Sequence, residues 1–469
     1  MTDATLPYLT PQFADPAAPT LPLHVVPSDG LADLAARIGP EAAAWLTATG
    51  FKGDLGEVRL LPGAGGALLG AVAGFGTPKA RRRMRFGLAK AVAALPAGAW
   101  RIEGGLSRTE RAEVALGWLL TQYRFNRYRS ATEAGKALLA CPEGVDAVRL
   151  IAMARGEFLT RDLINTPAQD MGPGELEAAF AALGAQFGAA VSVVRGDDLL
   201  TQGFPMVHAV GRASPRAPRI MEMRWGSEGP ALTLVGKGVC FDTGGLNLKP
   251  SSGMNLMKKD MGGAATVMGL AQMVMELGLA VRLRVIVPAV ENVVAGNALK
   301  PKDILTSRKG LTVEVNDTDA EGRLILGDAL AWAGEEDCDL LVSMATLTGA
   351  ARVAVGPDLA PYYCDDAGIV AALEAGAVTG FDPVWRLPFH DAYETVIEPG
   401  IADLDNAPGF GFAGSITAAL FLRRFADHPR YVHFDIYGHT PSDAPGRPKG
   451  AVGQGARALL QGLPAMLGL

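Results

Sequence analysis

From about residue 150 onward, short apolar runs alternate with stretches whose apolar positions recur at helical spacing. Residues 232–235 form a run compact and apolar enough for a buried strand, and 281–287, 311–315, 340–344 and 431–436 read the same way. Between them, 262–277, 322–333 and 415–424 carry apolar residues three and four apart and are predicted to be helices. This alternation predicts an α/β fold, a mixed, largely parallel sheet with helices on both faces. In such sheets ligands bind beyond the carboxyl ends of the strands. Residues 1–150 read as a smaller, alanine-rich α/β unit with helical stretches at 30–48 and 107–137. The expected division is 1–150 and 151–469, without an internal repeat or a long low-complexity linker.

One uncharged stretch, 60–77, has a membrane-helix reading, but Pro62 and the many glycines of GAGGALLGAVAGFG make it a poor helix former. Two short strands joined by a glycine turn are expected instead. The first 23 residues lack the basic start and apolar helix of a secretory signal, so a cytoplasmic location and no membrane partner are expected. With 49 acidic and 43 basic residues the formal charge is −6, which argues against a surface built as a whole for nucleic acid or an anionic membrane. The basic run 79–85 is read as a solvated helix face, with a nucleic-acid contact as the alternative. At 49% hydrophobic residues, a chain of 469 can bury a large core. Its four cysteines (Cys141, Cys240, Cys338, Cys364) lie far apart and form no CxxC, which indicates neither a disulfide framework nor a thiolate zinc site.

Candidate chemistry collects in three polar clusters, each following a predicted strand. The first is VGKGVCFDTGG (235–245), running on to Lys249 and to MKKD (257–260). The second is NDTDAEGR (316–323) and the third ATLTGA (345–350). Asp242, Asp260, Asp319 and Glu321 meeting at one sheet edge would repel one another unless a counter-charge were present. Divalent cations remove that problem, and four hard oxygen ligands suit two ions better than one. Lys237 lies in a Gly-Lys-Gly, but a phosphate loop needs Gly where Ala231 stands and Ser or Thr where Gly238 stands. A nucleophile mechanism through Cys240 or Ser251 finds no GxSxG and no Cys/His pairing.

NDTDAEGRLILGDAL (316–330), VGKGVCFDTGGLNLKP (235–250) and MKKDMGGAA (257–265), supported by 161–173, 345–350 and 414–422, resemble the cytosol (leucyl) aminopeptidase family of two-metal exopeptidases. The resemblance spans about 150–460. It implies that Lys237, Asp242, Asp260 and Glu321 bind one ion, and that Asp242, Asp319 (side chain and carbonyl) and Glu321 bind the other, the ions being Mn²⁺ or Zn²⁺. It further implies that Lys249 polarises the scissile carbonyl and that Arg323 holds a bicarbonate ion acting as general base. Met257, Thr346 and Gly349 would border the first side-chain pocket, and Leu347 would meet the peptide backbone. The same resemblance implies peptide substrates and a homohexamer with its catalytic domains facing the centre.

Two positions depart from the family pattern. Asp317 stands where the family has Asn, and a carboxylate cannot donate the hydrogen bond an amide can, so contacts to the leaving-group side change. Tyr437 replaces Ala in Asp-Ile-Ala-Gly, either bordering the pocket or packing away from it. The competing reading is a DNA-binding or architectural role on the same fold; the complete set of ligand and catalytic residues argues against it.

Overall fold

The computed structural model describes residues 9–129 and 137–469. The chain divides into two compact units: one takes residues up to Phe158 together with Ser442–Lys449, the other Leu159–Pro441 and Gly450–Leu469.

The first unit holds a five-stranded sheet in the order Val58–Pro62, Leu68–Gly76, Thr20–Pro27, Gly98–Glu103 and Ala137–Leu139. Val58–Pro62 and Leu68–Gly76 pair antiparallel across a short 3₁₀ turn at Ala64–Gly66, the strand pair expected there. The expected helix at 30–48 is two, Leu31–Ile38 and Pro40–Ala48, because Gly39 sits at φ +87 and Pro40 opens the second. The helix expected at 107–137 ends earlier, as Arg108–Thr121. Ser107 and Glu110 form a capping box at its start, while Arg124 donates to the carbonyls of Thr121 and Tyr123 at its end. Residues 130–136 of that expected helix lie outside the described residues.

The second unit is built on a nine-stranded mixed sheet whose central strands are parallel. Tyr431–Asp435, Leu340–Ala345, Ala231–Gly236 and Arg282–Asn292 lie side by side in that order. Gly238–Asp242 pairs with the far end of Arg282–Asn292, so the chain steps sideways at Lys237. Antiparallel strands Arg219–Trp225 and Ala190–Arg195 extend one edge; Ala360–Tyr363 and Val384–Arg386 extend the other.

Successive strand residues face opposite sides, and the two sides are covered by different helices. A side chain at Gly236 would run into Ala264 and Val267 of the helix Gly262–Glu276. Val235 instead joins the cluster of Leu324, Ile325 and Leu330 from the helix Glu321–Ala333 and Leu420 and Phe421 from Gly414–Ala426. One expectation changes here. Thr312–Glu314 is not a strand of the main sheet but the middle of a small three-stranded one, between Ile304–Thr306 and Leu404–Asp405. Among the described residues, no helix is long and apolar enough to cross a membrane.

The helix Glu321–Ala333 is fixed from behind by Asp328, which is fully buried. One of its carboxylate oxygens accepts the backbone N–H groups of Met206 and Val207 and the other that of Arg308. Burial pushes this carboxyl up to about 7, against the pull of those donors. A folded value above the ordinary 3.8 means that its contribution to stability is complete below about pH 4 and is lost as the pH rises to about 7. In denaturant titrations the stability advantage of the wild type over Asp328→Asn therefore narrows across that window; a constant difference would clear Asp328 as the source.

Candidate active site

Five of the predicted residues converge where the parallel strands end. Lys237 follows Ala231–Gly236, and Asp242 closes Gly238–Asp242. Asp260 ends the 3₁₀ turn Met257–Lys259, and Asp319 precedes Glu321, the first residue of the helix Glu321–Ala333. The loop after Thr312–Glu314 thus delivers Asp319 and Glu321 to the same place.

Lys237 is buried with its Nζ 2.6 Å from Asp260 Oδ2, 3.1 Å from Glu321 Oε1 and 3.2 Å from the Thr346 carbonyl. It can lie across the helix start because residue 322 is glycine: a Cβ there would be 2.6 Å from the ammonium nitrogen. Lys249 pairs with the remaining carboxylates, 2.8 Å from Asp242 Oδ2 and in contact with Asp319. Burial works against both lysines as cations, but Asp260, Glu321 and Asp242 around Lys237 outweigh it, as Asp242 and Asp319 do around Lys249, and both pKa values lie above the ordinary range.

Four carboxylates face two ammonium groups, which leaves an excess of negative charge. Burial first, then the Asp242 charge, push Asp319 up to about 7 and Glu321 well above its ordinary value. Ligand oxygens of Asp242, Asp319 and Glu321 lie within 4.8 Å of one another, and Glu321 Oε2 is buried without a hydrogen-bond partner. An all-oxygen cluster with surplus charge and an unsatisfied carboxylate oxygen fits a hard divalent cation. Arg323, two residues on, is buried with Nε unpartnered.

The other predicted residues divide. Thr346 donates 2.8 Å to Asp260 Oδ1, which fixes that carboxylate. Leu347 N–H is taken by Asp435 Oδ1 at 3.0 Å. Met257 is half-buried and Gly349 exposed. Asp317 turns one carboxylate oxygen back to accept the Asp319 N–H at 2.8 Å, an Asx-type brace of the ligand loop. The Tyr437 ring meets the charged ends of Lys259 and Arg352, 5.1 and 4.9 Å from its centroid. A cavity of about 530 Å³ opens beside Lys249, lined also by Phe241, Leu248, Ser251, Met254 and Asn255.

Three residues that hold the site together were not singled out from the sequence. Asn292 donates to Asp242 Oδ1 at 2.9 Å and to the Thr318 carbonyl at 3.0 Å, linking the loops that carry Asp242 and Asp319. Asn406 accepts from Asn316 N and donates to the Asp317 carbonyl. Asp435 gathers Leu347 N, Thr348 N, Thr348 Oγ1 and Ser415 Oγ. Asn292 and Asp435 share the signal that revealed the ligands: a polar residue ending an apolar run.

A lysine-threaded carboxylate cluster at the carboxyl ends of a mostly parallel sheet defines a metal-dependent enzyme. Residues 158–460 match the catalytic domain of the cytosol aminopeptidase family, and 21–142 match the M17 aminopeptidase N-terminal domain. A probable cytosol aminopeptidase of Chlorobium limicola is 36% identical over 453 residues, covering 88% of this chain and 90% of that protein. The crystal structure of the cytosol aminopeptidase from Coxiella burnetii superimposes with a TM-score of 0.90 at 38% identity, covering 96% and 98% of the two chains. The bottromycin maturation enzyme BotP, solved in complex with Mn, gives 0.85 at 30% identity over 95% and 99%. The chain belongs to the M17 cytosol aminopeptidase family and is a metallo-exopeptidase.

Residues that orient metal ligands typically change metal affinity or activity by about 10–100-fold when lost. Asn292→Ala is expected to weaken Mn²⁺ binding by that order in calorimetric titration. Wild-type affinity in the folded variant would remove Asn292 from the ligand support.

Proposed function

We propose that this chain removes N-terminal residues from short peptides with two divalent ions, Mn²⁺ or Zn²⁺, held by Lys237, Asp242, Asp260, Asp319 and Glu321. The observation that carries the reading is the surplus of buried carboxylate at one point, with Glu321 Oε2 unpartnered inside it. Asp242 and Glu321 would serve both ions, Asp260 and Lys237 (as a neutral amine, its proton displaced by the cation) one of them, and Asp319 the other. Bound metals supply an activated water and withdraw charge from the tetrahedral centre.

The protein's own groups account for the rest. Lys249 stays charged against Asp242 and Asp319, and its ammonium is the electrophile that meets the scissile carbonyl as negative charge develops there. Arg323, buried and with Nε free, is the anchor for bicarbonate as general base. With its N–H committed to Asp435, Leu347 meets the substrate backbone through its carbonyl. Met257, Thr346 and Gly349 border the first side-chain pocket. A homohexamer is the proposed assembly.

The two lysines separate experimentally. Lys237→Ala should lower metal content at one site. Lys249→Ala should keep both ions while kcat falls by about 10²–10³, the usual cost of one preorganised electrostatic donor. Metal analysis beside steady-state kinetics checks this, and an emptied site in Lys249→Ala with full occupancy in Lys237→Ala would reverse the roles. Light scattering tests the assembly: a mass of 48.9 kDa, that of one chain, would refute the hexamer.

A further inference from the structure

The segment 407–413, Ala-Pro-Gly-Phe-Gly-Phe-Ala, is strung between two active-site loops. At its start, fully buried Asn406 accepts the N–H of Asn316 and donates to the carbonyls of Asp317 and Ala320, on the loop that carries Asp319 and Glu321. At its end, a side chain on Gly414 would touch Ala350, next to Gly349, and Ser415 bonds to the same Asp435 that holds Leu347 and Thr348. Both ends are therefore fixed to loops that border the metal cluster, although the segment itself carries no ligand.

The segment presents two aromatic rings to solvent. Phe412 is 75% exposed and Phe410 37% exposed, their rings packed edge to face at 5.7 Å. Phe410 also rests on Tyr393 at 5.4 Å, so the pair is propped rather than loose. Two adjoining open rings on a segment tied at both ends to the site loops form an apolar patch, the kind of feature that marks a contact surface where single exposed residues do not. In an exopeptidase the substrate's first residue is bound nearest the metals, so a surface at the rim meets the residues on the far side of the scissile bond.

We propose that Phe410 and Phe412 are specificity-determining residues, which contact an apolar or aromatic side chain in the first or second residue beyond the scissile bond. The inference rests on the aminopeptidase reading and adds the leaving-peptide preference to it. Burying such a side chain against a ring changes kcat/KM by about tenfold or more.

The test compares Leu-Phe-Gly and Leu-Gly-Phe with Leu-Gly-Gly on the Mn²⁺-loaded full chain. Wild-type enzyme is expected to favour one of the Phe peptides by about tenfold. The ratio should fall toward one in the Phe410→Ser/Phe412→Ser double variant and in Phe412→Ser, and be retained in Phe412→Leu. Equal rates for all three peptides in the wild type, or an unchanged ratio in the serine variants, would overturn the proposal. So would a serine variant whose ratio is kept while its mass in light scattering drops, because the rings would then cover a neighbouring copy. Failure to cleave any of the peptides, with leucinamide also left intact, would instead refute the aminopeptidase reading.

Discussion

Four carboxylates in one place, three buried and Asp319 half-buried, are the constraint on which the rest of the second unit depends. Charges taken out of water cost several kcal/mol each even after relaxation, a large fraction of the stability of a whole domain. Asp242, Asp260, Asp319 and Glu321 can be kept together only if the surroundings are rigid enough to prevent them from turning outward. The helices Gly262–Glu276 and Glu321–Ala333 provide that rigidity from opposite faces of the sheet, and each is buried along nearly its whole length. Glycine at 236 and 322 lets the backbones come close enough for Lys237 to reach between them.

Precision at the loops comes from a second layer of polar side chains. Asn292 joins residues 242 and 318, Asn406 joins 316, 317 and 320, and Asp435 joins 347, 348 and 415. Each brace spans a long separation in sequence and satisfies backbone groups that a buried loop would otherwise leave unpaired. Active-site loops held this way behave as extensions of the scaffold, which is the condition for positioning charged groups to within a fraction of an ångström.

The parallel strands were legible because strands buried on both faces read as continuous apolar runs, as 232–235 and 340–344 do. The carboxylates that meet there were legible for the complementary reason: charge placed directly after such a run needs a partner, whether a bound group or, as at Asp435, backbone N–H groups. Lys237 was different. Charge and spacing alone do not make a lysine a ligand, and only the resemblance assigned it. Strands of two or three residues such as Leu404–Asp405 carry no period, so of the small sheet only the middle strand, expected at 311–315, was legible. At the early end of Arg108–Thr121, Arg124 turns back to the last helical carbonyl, and helical periodicity does not record that. Asn406 shares the difficulty, since an asparagine's role lies in the partners it finds after folding.

The lysines divide the cluster in an orderly way. Lys237 takes Asp260 and Glu321, and Lys249 takes Asp242 and Asp319. Each pair contains one of the two residues assigned to both ions, Glu321 in the first and Asp242 in the second. An ammonium group within each pair holds its carboxylates at close range against their mutual repulsion. The cluster is thereby kept compact by the polypeptide's own charges. Preorganisation of this kind is where electrostatic catalysis gains most, because the dipoles and charges need not reorient as the reaction proceeds. The arrangement also sets apart two lysines that lie near each other in sequence. Lys237 is inserted between Asp260 and Glu321 by the glycine at 322, whereas Lys249 borders the 530 Å³ cavity.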